Sequence, residues 1–100
     1  MLLLTASISF ENLPFNISVN MRPGIDFGNG ITYSGALTAT KTIEKFIMNE
    51  WYEVYIEMFT VDEEVFGLIS GFLKKRCIFK MKAGSREVGR GRVIDYLYYQ

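Results

Sequence analysis

The stretch WYEVYIEMF, residues 51–59, alternates between apolar and polar side chains. Because successive side chains of a β-strand point to opposite faces of a sheet, this alternation predicts a strand. One face would hold Tyr52, Val54, Ile56 and Met58, and the other would hold Glu53, Tyr55 and Glu57. We expect the first set to lie in the core and the second to face solvent.

The same period of two recurs on both sides of this stretch. It predicts strands over residues 4–10, 25–27, 31–40, 76–82 and 86–96, with turns at residues 28–30 and 84–85. Residues 11–23 hold both prolines and predict a long loop with a short extended piece at 17–19. Residues 44–49 fit a short helical turn or a loop. Five or six strands with regular turns indicate an all-β fold, a small antiparallel barrel or sandwich.

One segment, residues 63–74, has helical spacing instead. Asp62 suits a helix cap, and the apolar residues that follow recur three and four positions apart: Val65, Leu68, Ile69, Phe72 and Leu73. We expect a short amphipathic helix. Gly67 and Gly71 form a small-residue face, which we expect to pack closely on the barrel rather than on a second helix.

The composition indicates one domain, residues 1–100, and argues against catalysis. Of the 100 residues, 49% are hydrophobic and 22% are charged, which is enough to form a core. The chain has no His, which excludes Ser–His and Cys–His nucleophile pairs and His-containing zinc sites. We therefore expect no enzyme activity, no metal and no cofactor.

A single cysteine, Cys77, favours a reducing compartment, since a secreted domain of this size more often carries paired cysteines. The opening Met1–Leu4 run has no basic flank and is too short for a signal peptide. No apolar stretch approaches the length of about 20 residues that spans a bilayer. We expect a cytoplasmic protein without membrane contact.

Charge is segregated along the chain although the formal net charge is zero. Residues 44–64 hold seven acidic side chains and one basic one, and residues 74–92 hold eight basic side chains and one acidic one. One interpretation is that Glu53 and Glu57 pair with Lys80 and Lys82 across neighbouring strands. The other is a basic surface for nucleic acid, formed by Lys80, Lys82, Arg86, Arg90 and Arg92.

Three sets of residues resemble one known domain. The segment from Phe79 to Val93 is similar to the end of the C-terminal β-barrel domain (domain III) of the translational GTPase elongation factor Tu, with matches at Phe79, Gly84, Arg86, Val88, Gly89, Gly91 and Val93. Upstream, Pro14-Phe15, then Arg22-Pro23 and Phe27, and then the run 33–36 are similar to earlier motifs of that domain in the same order.

The resemblance implies a six-stranded antiparallel barrel that works by contact rather than by chemistry. In the full factor this domain packs on the nucleotide-binding domain, helps to hold the backbone of aminoacyl-tRNA and contacts the exchange factor. The present chain has no Gly-x-x-x-x-Gly-Lys phosphate loop. It also departs from the family at Arg90 and Arg92, where the family carries Ala and Val, which predicts a solvent-exposed face at these positions.

We therefore expect a non-catalytic module that binds another macromolecule. A protein partner would meet the helix through Phe66, Phe72, Lys74 and Lys75. One version of such a module is an immunity or antitoxin protein, whose partner is a toxin. Another is a protein whose partner is a translation component. The alternative is an RNA-binding protein that holds a tRNA-type backbone on the basic strands. An enzyme would have to use Asp62–Glu64, which suit a helix N-terminus, or Cys77, which alternates inward.

Overall fold

A computed structural model of the chain describes residues 1–14 and 16–99. Within them lie nine strands, Leu2–Phe10 (β1), Ile17–Ser18 (β2), Gly24–Asp26 (β3), Tyr33–Ser34 (β4), Ala36–Ala39 (β5), Lys45–Phe46 (β6), Trp51–Met58 (β7), Ile78–Ala83 (β8) and Arg86–Tyr98 (β9), and one helix, Glu63–Lys74 (α1). The predicted all-β fold with one short helix is confirmed. Phe15, part of the Pro-Phe motif quoted above, lies outside the described residues.

Seven strands form one antiparallel sheet in the order β4-β3-β8-β9-β1-β7-β5. The strands at its two edges, β4 and β5, are separated in the chain by Gly35 alone, so the sheet curls until its edges meet. A Cβ at Gly35 would lie 2.6 Å from Ile56 Cγ2 on β7 and 3.2 Å from Ile25 Cγ1 on β3. Counted as one bent strand, β4 and β5 bring this sheet to six strands, within the five or six that the sequence predicted.

The core fills the inside of this curled sheet. The inward set predicted from alternation is buried at Val54, Ile56 and Met58, and Phe79 and Met81 lie beside it on the inner face of β8. Tyr52 is only half-buried, because its hydroxyl reaches the surface and accepts a hydrogen bond of 3.0 Å from the Ile47 amide.

The helix begins as its sequence predicts, and part of its apolar set is buried. The Asp62 carboxylate accepts a hydrogen bond of 2.9 Å from the Val65 amide at the N-terminus. Ile69 and Leu73 are buried against the sheet, whereas Leu68 of the same apolar set is 63% exposed. With 12 residues α1 is too short to cross a membrane, and the described part of the chain holds no other helix that could.

Residues 44–49 form a loop rather than a helical turn, and the loop contains the two-residue strand β6, which pairs with β2 at Ile17 and Phe46. Two expectations about packing are wrong. Gly67 and Gly71 do not pack on the barrel, because a Cβ at either position would meet open space. Glu53 and Glu57 cannot pair with Lys80 and Lys82, because β1 and β9 lie between β7 and β8.

Candidate functional site

The solvent side of strands β8, β9, β1 and β7 forms a continuous surface, which we call the outer face. Antiparallel register places its residues in rows that run across the strands. Ser7 on β1 lies opposite Arg92 on β9 and Glu53 on β7, and Ser9 lies opposite Arg90 and Trp51. The middle strand therefore offers small side chains, while the strands on either side of it carry large ones.

Large apolar side chains stand exposed on this face. They are between 39% and 56% exposed, at Trp51, Tyr55, Ile78, Ile94 and Leu97. These are five of the ten large apolar residues that are exposed in the described chain. Ile94 faces outward because a register shift between Thr5 and Ala6 of β1 inserts it between Val93 and Asp95.

A groove of about 330 Å³ runs along the middle of the outer face. Its floor is the small pair Ser7 and Gly91, and its walls are Trp51, Ile78, Arg90 and Arg92. Trp51 also borders a second groove, of about 340 Å³, on the side of β5. The indole ring thus protrudes between the two grooves.

Arg90 is held in place from two directions. Its Nε donates a hydrogen bond of 3.0 Å to Glu11 Oε1, and its guanidinium carbon lies 5.5 Å from the centre of the Trp51 ring. Ser9, opposite both residues, is 1% exposed, and its hydroxyl has no hydrogen-bond partner in the described residues. The stacked pair therefore covers the Ser9 hydroxyl.

Most of the basic side chains on β8 and β9 have a partner within the chain. Lys80 Nζ lies 4.0 Å from Glu87, Lys82 Nζ lies 3.3 Å from Asp26, and Arg90 pairs with Glu11. Arg86 donates a hydrogen bond of 3.0 Å to the Asn12 carbonyl oxygen. Of the five nucleic-acid candidates, Arg92 alone has neither an ion pair nor a side-chain hydrogen bond within residues 1–14 and 16–99. Both Arg90 and Arg92 are exposed, as expected from their departure from the family pattern.

The Asp26 carboxylate beside Lys82 is part of this arrangement. It accepts a hydrogen bond of 2.8 Å from the Gly28 amide, and this bond lowers the pKa of Asp26. Burial acts in the opposite direction, and the nearby Lys82 lowers the pKa further. The carboxylate is therefore charged at neutral pH and neutralises Lys82 in the folded chain.

The helix candidates have contacts inside the chain. The Phe66 ring stacks on Tyr98 with centroids 4.5 Å apart and lies 6.2 Å from Tyr96. Phe72 is half-buried against the core. Lys74 and Lys75 are exposed. Both aromatic residues thus fasten α1 to the barrel, and their use as anchors for a partner stays a prediction.

The groups considered for catalysis have structural roles. Asp62 caps α1, and Glu63 and Glu64 form its first turn. Burial raises the pKa of the Cys77 thiol, which keeps it protonated and weakly nucleophilic at neutral pH. In the described part of the chain, no three Cys, Asp or Glu side chains are grouped so that they could hold a metal ion.

The outer face was partly visible in the sequence. Alternation in residues 51–59 already places Trp51 and Tyr55 on the side away from Val54, which is an unusual place for two aromatic residues. The alternation in residues 76–82 likewise places Ile78 on the side away from Phe79 and Met81. Leu97 carried no such signal, because it lies beyond the predicted strand 86–96.

Comparison with known proteins found no family model and no curated protein that matches this chain. The resemblance to domain III of elongation factor Tu therefore depends on the sequence motifs alone and stays a prediction.

Proposed function

We propose that the chain is a non-catalytic protein-binding module and that the outer face is its contact surface. The observation that carries this proposal is the group of five exposed apolar side chains around the Ser7 groove: Trp51, Tyr55, Ile78, Ile94 and Leu97. Removing large apolar side chains from water is favourable. A cluster of them on a surface therefore marks a site of interaction with other proteins.

The chemistry of the face matches that of protein interfaces. Trp, Tyr and Arg are the residues that most often carry binding energy, and Trp51, Tyr55 and Arg90 occur together here. The contacts of Arg90 with Glu11 and with the Trp51 ring order both long side chains before a partner arrives. An ordered side chain loses less conformational entropy on binding, and this favours affinity.

Charge supports a protein partner over RNA. Three of the five basic candidates lie beside a carboxylate: Lys80, Lys82 and Arg90. A phosphate backbone would have to approach Glu87, Asp26 and Glu11 together with those bases. RNA binding by the strands remains the alternative proposal, and it would depend mainly on Arg92.

The class of partner follows from the resemblance. Domain III of elongation factor Tu acts through contacts with other macromolecules, so a chain that resembles it suits a role as a binding protein in translation or as an immunity protein against a toxin that attacks translation. The outer face supplies the surface for either role. The absence of His from the sequence and the raised pKa of Cys77 support binding rather than catalysis.

The test is site-specific photo-crosslinking in the cells that produce the chain. A benzophenone amino acid replaces Ile78 on the outer face, or Leu68 on α1 as the matched control, since these side chains are 56% and 63% exposed. We expect covalent protein adducts from position 78 and none above background from position 68. Adducts from position 68 only, or adducts of position 78 with RNA only, would overturn the proposal.

A further inference from the structure

The outer face carries unpaired charges of opposite sign on opposite sides of β1. The ion pairs in the described chain are Lys80–Glu87, Lys82–Asp26 and Arg90–Glu11, so Arg92 and Glu53 have no ion-pair partner within those residues. Both lie opposite Ser7, one on β9 and the other on β7. Two strand spacings put their backbones about 10 Å apart, with a small side chain between them.

This pattern is complementary to itself. A two-fold axis parallel to β1, lying between two copies that face each other, sets β9 of one copy over β7 of the other. Arg92 of each copy then meets Glu53 of the other, and the two Ser7 residues face each other at the axis. An axis perpendicular to the strands would instead set β9 over β9 and oppose like charges, which disfavours that arrangement.

The apolar residues fall into the same arrangement. In the row of Thr5, Tyr55 of one copy meets Asp95 of the other with the bulged Ile94 beside it, and in the row of Ser9, Trp51 of one copy meets Arg90 of the other. The small outward side chains of β1 let the two faces approach closely. The convex curvature of the sheet centres the contact on β9, β1 and β7, with Ile78 of β8 at its edge, which indicates a small, reversible interface.

We propose that the occupant of the outer face is a second copy of this chain, held face to face about a two-fold axis parallel to β1 by two Arg92–Glu53 pairs. This inference rests on the proposed function, because it names the partner of the same surface.

The experiment is sedimentation velocity on the whole chain, with charge reversal at the two positions. The wild type should dimerise reversibly at concentrations up to about 1 mM. Arg92→Glu alone and Glu53→Arg alone should each raise the dimer dissociation constant by more than about tenfold, because each opposes like charges. An equimolar mixture of these two variants should form a heterodimer with an affinity near that of the wild type, since every Glu then faces an Arg.

The matched control is charge reversal away from the outer face, Glu64→Arg on α1 and Lys45→Glu on β6, both at exposed positions. These variants should dimerise as the wild type does. Recovery in the mixture also shows that the single variants are folded. A wild type that is monomeric at 1 mM, or a mixture no tighter than its components, would overturn the second-copy assignment.

The two proposals fail in different ways. A monomeric chain whose position 78 still crosslinks to other proteins would overturn the homodimer and support the binding module. A monomeric chain with no protein adduct from that position would overturn both.

Discussion

The Arg90 guanidinium lies 5.5 Å from the centre of the Trp51 ring, although β9 and β7, which carry these residues, do not pair with each other. Both residues lie opposite Ser9, so their contact crosses β1 and closes over its hydroxyl. This contact joins the basic strand to the acidic strand and forms one wall of the groove above Ser7.

Alanine should have opposite effects at two glycines. In the core, a Cβ at Gly91 would lie 2.7 Å from Phe79 Cε2 and 2.8 Å from Ile8 Cγ2, so Gly91→Ala should destabilise the fold by about 1–3 kcal/mol through overpacking. On α1, a Cβ at Gly67 would meet nothing within 4 Å, so Gly67→Ala should stabilise the fold by about 1 kcal/mol. Urea denaturation measures both. Equal effects of the two changes would contradict the packing described here.

Acid should weaken the fold through Asp26. Its pKa is lowered in the folded chain, so its contribution to the free energy of unfolding is complete above the unfolded pKa of about 3.9 and is lost as pH falls through the folded value. Asp26→Asn should therefore destabilise the chain at pH 7, by about 1–3 kcal/mol, and much less at about pH 2. Urea denaturation at the two pH values gives the difference, and Glu44→Gln, at an exposed position, is the control. A cost of Asp26→Asn that does not change with pH would refute the role of the Lys82 pair.

RNA should bind weakly and with a shallow dependence on salt. Each phosphate contact contributes about −0.7 to −0.9 to the slope of log affinity against log salt, and Arg92 is the one basic candidate without a partner in the described chain. We expect a slope shallower than about −2 for tRNA. Filter binding over a salt series tests this. Tight binding at physiological salt with a slope near −4, lost in the Arg90→Glu, Arg92→Glu double variant, would favour the RNA alternative.

Local pattern predicted the elements well, because alternation and capping are properties of adjacent residues. Alternation in residues 51–59 predicted β7 and its inward face. The cap residue Asp62 and the apolar spacing that follows it predicted α1. The predicted strand over 31–40 proved to be two pieces, because the chain bends at Gly35 to join both edges of the sheet.

The order of the strands could not be read from the sequence in the same way. The first strand of the chain, β1, inserts between β7 and β9, and no local signal in residues 2–10 indicates this. The expected pairing of Glu53 with Lys80 was wrong for that reason. The same insertion creates the candidate site, because it places Ser7 and Ser9 between the basic and acidic strands. Leu97 was missed because the predicted strand ended at residue 96, whereas β9 continues to Tyr98.

Hydroxyl-radical footprinting of Trp51 against Leu68 tests the central claim most directly. The two side chains are 52% and 63% exposed, one on the outer face and the other on α1, so they should oxidise readily in the dilute purified chain. Inside the cells that produce the protein, binding through the outer face predicts that Trp51 becomes protected and Leu68 does not. Protection of Leu68 with Trp51 still reactive would contradict the account and would place the contact surface on the helix.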